Sequence, residues 1–260
     1  MTKRATWRAV AIPTEHGGWG LTLEPILLGL LVAWSLPGMA LGVAALLAFL
    51  ARTPIKVVLV DRYRHRRLDR THLAARFAGV ELAILAALIA VVAVTAPAST
   101  WVPLLLAAPA IAVELWFDMR SRSRRLAPEL CGAVGIASVA AAIALAGGEE
   151  AAVAAGLWCV LAARSVASIP YVRHQIQRSR DRVGWPLGSD VAQAVAVVLA
   201  VVGWAIGWVP ALGAIAIAVL AVFQVVDARL KLRPIKVVGV QQMLLGLFVV
   251  AMTAIGVAVG

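Results

Sequence analysis

The chain predicts an all-α fold: a polytopic membrane helix bundle of about nine transmembrane helices, formed as a single domain over residues 1–260. Three observations carry that expectation. The sequence is 62% hydrophobic with a mean hydropathy of +0.93, against about 45–50% apolar residues in globular proteins. Its apolar residues fall into runs of roughly 18–25, long enough at about 1.5 Å per residue to cross a bilayer core of about 30 Å. The connections between the runs alternate between arginine-bearing and base-free.

The runs lie at approximately 18–36, 38–61, 77–96, 100–117, 129–147, 151–171, 187–206, 209–227 and 235–258. In lipid a backbone must satisfy its own hydrogen bonds, so each run is expected to be helical. Lys3, Arg4 and Arg8 precede the first run, and the turn at Pro37–Gly38 carries no base. Arg62, Arg64, Arg66, Arg67, Arg70 and Arg76 follow the second, and the turn near Ala96–Thr100 is again free of them. Arg120, Arg122, Arg124 and Arg125 come next, then the acidic turn Gly147–Glu150. Arg173, Arg178, Arg180 and Arg182 precede an uncharged turn at Gly207–Pro210, and Arg229, Lys231 and Arg233 precede the last run. By the positive-inside rule the N-terminus and the even-numbered loops are cytoplasmic and the C-terminus is extracytoplasmic. The tryptophans fall mainly near run ends, where indoles anchor at the interface. Gly132, Gly135, Ala140 and Ala141 are small enough to let helices approach closely.

The net charge of +11 would suggest nucleic acid in a soluble protein, but these bases lie beside apolar runs. There, each contributes about 1 kcal/mol of attraction to anionic lipid. Membrane lipids, not nucleic acid, are the expected partners. Cys131 and Cys159 lie within apolar runs and form neither a disulfide framework nor a zinc pattern. The histidines, His16, His65, His72 and His174, have no ligand spacing. No metal or cofactor is expected from these residues.

Ionisable side chains within a span cost about 2.5–3.5 kcal/mol on insertion scales, so each needs a partner or a task. Glu15 and His16 open the first run, with Glu24 further in. Arg52 and Lys56 stand at i and i+4 on one face of the second, which Asp61 closes. Arg164, with Ser165 and Ser168, lies in the sixth; Glu81, Glu114, Glu129 and Asp190 lie near run ends; Gln241 and Gln242 stand in the ninth. Two readings compete. The acids can neutralise the cations and fix helix register, or the residues can line a polar cavity open to the cytoplasm with a basic floor. Guanidinium groups suit such a floor because they grip phosphate or carboxylate bidentately. A further signal is the recurrence of Pro54-Ile55-Lys56-Val57-Val58 as Pro234-Ile235-Lys236-Val237-Val238. It predicts a proline and a cation at comparable depths in two helices.

Nine helices with cytoplasmic loops after the second and sixth resemble the UbiA superfamily of intramembrane prenyltransferases. Glu24-Pro25-Ile26-Leu27-Leu28-Gly29 is similar to a P-x-L-L-G stretch in its first helix, and Leu126–Gly135 resembles the segment entering its fifth. That resemblance implies a UbiA-like arrangement, but the aspartate-rich motifs depart from it. Asp61 matches the first aspartate of the first motif, where Arg64 and Leu68 stand at the next two. Arg173, Ile176 and Arg180 occupy acidic positions of the second. Magnesium needs near-octahedral oxygen coordination, which these residues do not supply.

Pro13-Thr14-Glu15-His16-Gly17-Gly18-Trp19-Gly20 resembles the P-x-E-H-G-x-W opening of the YwiC-like family of bacterial membrane proteins, and the segments Arg52–Lys56 and Arg233–Lys236 fit it too. This resemblance implies the bacterial cytoplasmic membrane and no particular reaction. The leading expectation is therefore a cytoplasm-facing cavity for an anionic, phosphorylated amphiphile such as an anionic lipid or isoprenoid. Arg52, Lys56, Asp61, Arg164 and Lys236 are its expected binding residues, the cations standing in for Mg²⁺. Glu15 and His16 are the candidate acid–base pair if the protein is an intramembrane transferase, since histidine titrates near neutrality. A permease for a small anion and a non-catalytic partner of a membrane complex are the alternatives.

Overall fold

The structure, a computed structural model, describes residues 16–65, 68–120, 125–180, 183–230 and 232–260, with the backbone alone for 16 and 17. Nine α-helices lie among the described residues: α1 (His16–Val32), α2 (Leu36–Tyr63), α3 (Asp69–Thr95), α4 (Trp101–Met119), α5 (Leu126–Ala146), α6 (Ala151–Arg178), α7 (Pro186–Ala205), α8 (Ala211–Asp227) and α9 (Ile235–Val259). They follow the nine apolar runs in number and order, and a 3₁₀ turn at Ala98–Thr100 leads into α4.

Local chemistry sets the boundaries. At α2 the Ser35 hydroxyl accepts from the Gly38 amide at 3.0 Å, with Pro37 in the first turn, where its missing N–H costs nothing. Pro186 opens α7 in the same way. Two helices outrun their apolar runs. α3 begins at Asp69, where the Thr71 hydroxyl accepts from the Leu68 amide at 3.2 Å. α6 continues through Arg173 and Arg178. Charge removes these residues from a hydropathy window, yet nothing in them breaks a helix.

α5 and α6 form the centre. α5 packs against α1, α2, α4 and α6, and α6 against α1, α5, α7, α8 and α9. The small residues make this possible: Ala140, Ala141, Ala142 and Ala144 are all buried, and a Cβ on Gly135 would meet Ile111. α3 packs along α2 and turns most of its length outward. The outward faces carry Val94, Leu105, Leu106, Val198 and Leu244, a surface suited to lipid rather than water.

Short connections alternate between the two ends of the bundle. At one end lie the described arginines of the connections, tied across helices by Arg173–Glu129 at 2.8 Å and Arg229–Asp190 at 2.7 Å. At the other end Ala33 meets Gly147, and the Trp208 carbonyl lies against Gly156. Most tryptophans do sit near helix ends. Trp158 differs: it lies inside α6 and donates to the Val134 carbonyl at 2.8 Å, bracing α6 on α5.

The repeated Pro-Ile-Lys-Val-Val does not produce equivalent sites. Pro54 is buried inside α2, whereas Pro234 is the N-cap of α9. α2 runs toward the arginine-bearing end and α9 starts from it, so the two copies are traversed in opposite senses. Their lysines consequently differ: Lys56 reaches an aspartate and Lys236 is exposed.

Candidate functional site

The polar residues assemble into three groups rather than one basin. The first lies between α2 and α4. Arg52 donates to Asp118 Oδ2 through Nε at 2.9 Å and Nη2 at 2.7 Å, and its Nη2 also meets Glu114 Oε1 at 2.8 Å. One turn along, Lys56 Nζ reaches Asp118 Oδ1 at 3.1 Å. The i, i+4 spacing on α2 is matched by Glu114 and Asp118 at i, i+4 on α4, so two cations face two carboxylates. A Cβ on Gly132 of α5 would strike the Glu114 carboxylate, so α5 closes over that acid. Lower down α2, Asp61 accepts from Arg70 at 2.8 and 3.2 Å and from the Thr71 hydroxyl at 2.7 Å. Asp61 is thus committed to holding the start of α3, and its surroundings do not fit a Mg²⁺ site.

The second group is at the centre. Arg164 of α6 donates through Nη2 to Glu24 Oε1 of α1 at 2.7 Å and to the Gln242 carbonyl of α9 at 3.0 Å. Both side chains are almost wholly enclosed, with Arg164 6% and Glu24 4% exposed. Next to them, Gln224 Nε2 of α8 donates to Gln242 Oε1 and to Ser168 Oγ, each at 3.0 Å. Gln193 Nε2 of α7 donates to Gln224 Oε1 at 2.9 Å and to the Ala167 carbonyl at 2.8 Å. Three atoms of this group are buried and have no hydrogen-bond partner among the described residues: Arg164 Nε, Gln242 Nε2 and Gln193 Oε1.

The third group lies at the arginine-bearing end between α6, α8 and α9. Tyr171 donates to Asp227 Oδ2 at 2.5 Å, Gln175 Nε2 donates to the same oxygen at 3.1 Å, and Arg233 meets Asp227 Oδ1 at 3.3 Å. Gln241 donates to the Tyr171 hydroxyl at 3.4 Å and accepts from Arg233 at 3.3 Å. Alongside this group opens a cleft of about 530 Å³ between α8 and α9. Its polar side carries Arg233, Lys236 and Gln241, and its apolar side Phe223, Val237, Val240 and Leu244.

The sequence-predicted site residues are therefore dispersed. Arg52 and Lys56 stand together with Glu114 and Asp118, Asp61 with Arg70, Arg164 with Glu24, and Lys236 on the α8–α9 cleft. Glu15 and the His16 side chain lie outside the described residues. Of the acids singled out as partners, Glu24, Glu114, Glu129 and Asp190 do pair with cations. Glu81 makes no ion pair among the described residues, and one of its oxygens is buried without a partner. Sequence reasoning passed over Asp118, Asp227, Tyr171, Gln175, Gln193 and Gln224. A signal for part of this set existed: Arg164, Ser168, Tyr171 and Gln175 are spaced four, three and four apart, the period of one helix face.

Seven helices are long and apolar enough to cross a membrane, and α1 and α8 are shorter apolar helices of the same bundle. Together they define a multi-pass helical membrane protein. The chain matches the YwiC-like protein family over residues 12–144, just over half its length, and belongs to that family. The match begins just before the Pro13–Gly20 motif and extends to the end of α5. No curated protein matches the chain. No solved structure matches it.

Proposed function

We propose that this protein binds an anionic, phosphorylated amphiphile in the α8–α9 cleft, at the cytoplasmic face of a bacterial inner membrane. The observation that carries the reading is the make-up of the cleft. Lys236 has no ion-pair or hydrogen-bond partner among the described residues, and it stands beside Arg233 over a wall of Phe223, Val237, Val240 and Leu244. The Lys236 ammonium, beside the Asp227-paired Arg233 and above an apolar wall, matches a headgroup phosphate above its chains. The orientation follows from the arginines, which favour the anionic cytoplasmic leaflet. Of the expected cradle, Lys236 contacts the headgroup in this reading. Arg52, Lys56, Asp61 and Arg164, each already facing an opposite charge, hold the bundle together around it. No bond-making step is assigned.

The test is thermal unfolding of the purified protein with phosphatidylglycerol, an isoprenyl phosphate, phosphatidylcholine or inorganic phosphate, each with EDTA present. A ligand at about 100 times its Kd adds about 2.7 kcal/mol to the folded state. Stabilisation by one of the anionic amphiphiles is expected, lost in Lys236→Ala and kept in Arg180→Ala, which lies outside the cleft. Equal stabilisation of Lys236→Ala would remove the cleft from the reading. A shift from inorganic phosphate alone would replace the amphiphile by a small anion.

A further inference from the structure

The polar face of α6 has no role in the cleft. It runs from Gln175 through Tyr171 and Ser168 to Arg164, about 16 Å along the axis at 1.5 Å per residue. Each member meets a polar partner on a neighbouring helix: Gln175 and Tyr171 meet Asp227, Ser168 meets Gln224, and Arg164 meets Glu24 and the Gln242 carbonyl. The outer end of this face reaches Arg233, which is half-exposed. Its inner end stops at Arg164. Beyond it α6 presents Leu161, Leu157 and Ala154 to an apolar cluster with Leu28, Ala137, Ala141 and Val250. The polar face therefore connects the bundle centre with one end of the molecule.

At the inner end the hydrogen-bonding count does not balance. Arg164 Nε and Gln242 Nε2 are both donors, both buried, and both without an acceptor among the described residues. Arg164 also bonds the Gln242 backbone carbonyl, so the two residues are in direct contact. Buried donors without acceptors are costly, and native structures keep few of them. An anion placed between these two would satisfy both. The obstacle is Glu24, which already supplies the negative charge that Arg164 requires.

From this geometry we infer that the Glu24–Arg164 pair is a co-binding site for one proton and one small monovalent anion, reached from the arginine-bearing end along the polar face of α6. The proton comes from a hydronium ion or buffer acid in solution at that end, which leaves water or the conjugate base behind, and finishes on a Glu24 carboxylate oxygen. No other bond to hydrogen is broken. Arg164 keeps its charge and its bond to the Gln242 carbonyl. A lone buried guanidinium is unfavourable, so loss of the Glu24 charge favours entry of an anion onto Arg164 Nε and Gln242 Nε2. The protonated acid and the bound anion then leave the net charge of the buried site unchanged at zero.

Among the described residues few other charges intrude. α1 packs against α2, α5, α6 and α9. From α6 the charged group facing Glu24 is Arg164, and from α9 the neighbour is Gly246, with no room for a Cβ between Glu24 and Arg164. On α2, Arg52 and Lys56 face Glu114 and Asp118, and Asp61 faces Arg70. On α5, Glu129 faces Arg173. Lys236 of α9 stands at the exposed start of its helix.

The proposal does not rest on the amphiphile cleft. The experiment adds chloride, and separately formate, to the purified protein in weak buffer and follows anion binding and proton uptake together. Binding of either anion with uptake of close to one proton is expected. By linkage the anion affinity then rises as pH falls, by at most about tenfold per pH unit. Glu24→Gln is expected to abolish the proton uptake, and Gln242→Leu to weaken the anion by about tenfold or more through loss of a hydrogen bond to charge. No binding of either anion, binding without proton uptake, or uptake that persists in Glu24→Gln would each overturn the proposal. If Glu24→Gln does not fold, the wild-type uptake and the Gln242→Leu affinity decide it.

Discussion

Glu24 and Arg164 show how far a single residue can be read. That each needed a partner was legible, because an ionisable group inside an apolar run is costly unless compensated. Which partner it took was not, since the two lie 140 residues apart in sequence. Asp118 was missed for a related reason: it follows Trp116 and Phe117 at the end of an apolar run, where a lone aspartate reads as solvated. In the structure it accepts from both Arg52 and Lys56. The Glu24–Arg164 contact also explains Gly246, where a methyl group would run into both side chains. Truncating one partner of a buried pair leaves the other charge uncompensated, so Arg164→Ala is expected to destabilise the protein by about 3–5 kcal/mol. Thermal unfolding in detergent measures this. The Glu24→Ala/Arg164→Ala double variant should lose less than the sum of the two single losses. Additive losses would show that the pair carries no coupling.

Among helices, apolar period and length predicted existence and order well, because lipid gives a span no other backbone option. They did not predict neighbours. α5 and α6 are central because small residues line them, and the Gly132, Gly135, Ala140 and Ala141 pattern carried that signal for α5. For α6 the comparable signal was the polar spacing from Arg164 to Gln175, half-hidden by the apolar residues between. The Pro-Ile-Lys-Val-Val repeat misled, since identical sequence on helices of opposite direction meets different surroundings. α6 also depends on one close approach, at Gly156, where a Cβ would overlap the Trp208 carbonyl in the turn between α7 and α8. A carbonyl fixed in a turn cannot step aside as a flexible side chain can. Gly156→Ala is therefore expected to cost about 1–3 kcal/mol, the range for overpacking a tight interior. Gly79→Ala, with nothing near its Cβ position, is the control. Equal unfolding temperatures for the two variants would show that the turn yields easily.

For the whole molecule, topology turns on the two shortest helices. α1 and α8 have 17 residues each, about 25 Å at 1.5 Å per residue, slightly less than a bilayer core of about 30 Å. A shortfall of that size is met by local thinning of the bilayer at modest cost. The packing argues that both traverse the bundle. Arg229, just past the end of α8, bonds Asp190 near the start of α7, so α8 returns to the level from which α7 set out. Ala33, at the end of α1, lies against Gly147 at the end of α5, so α1 reaches the end opposite the arginines. Nine crossings place every arginine-bearing connection on one side. If α8 failed to cross, Arg229 and Arg233 would lie with the base-free turns, against the charge rule. Reporters fused at the two termini would detect eight crossings but not seven, because seven and nine both separate the ends. Reporters inserted in the connections detect either. Insertions at 34 and 207 are expected to report an extracytoplasmic environment, and insertions at 122 and 231 a cytoplasmic one. A cytoplasmic signal at 207 would mean that α7 and α8 do not form the two crossings their ion pair implies. An extracytoplasmic signal at 231 would mean that α8 fails to cross, and the cleft between α8 and α9 would then lose the anionic leaflet that its cations are expected to face.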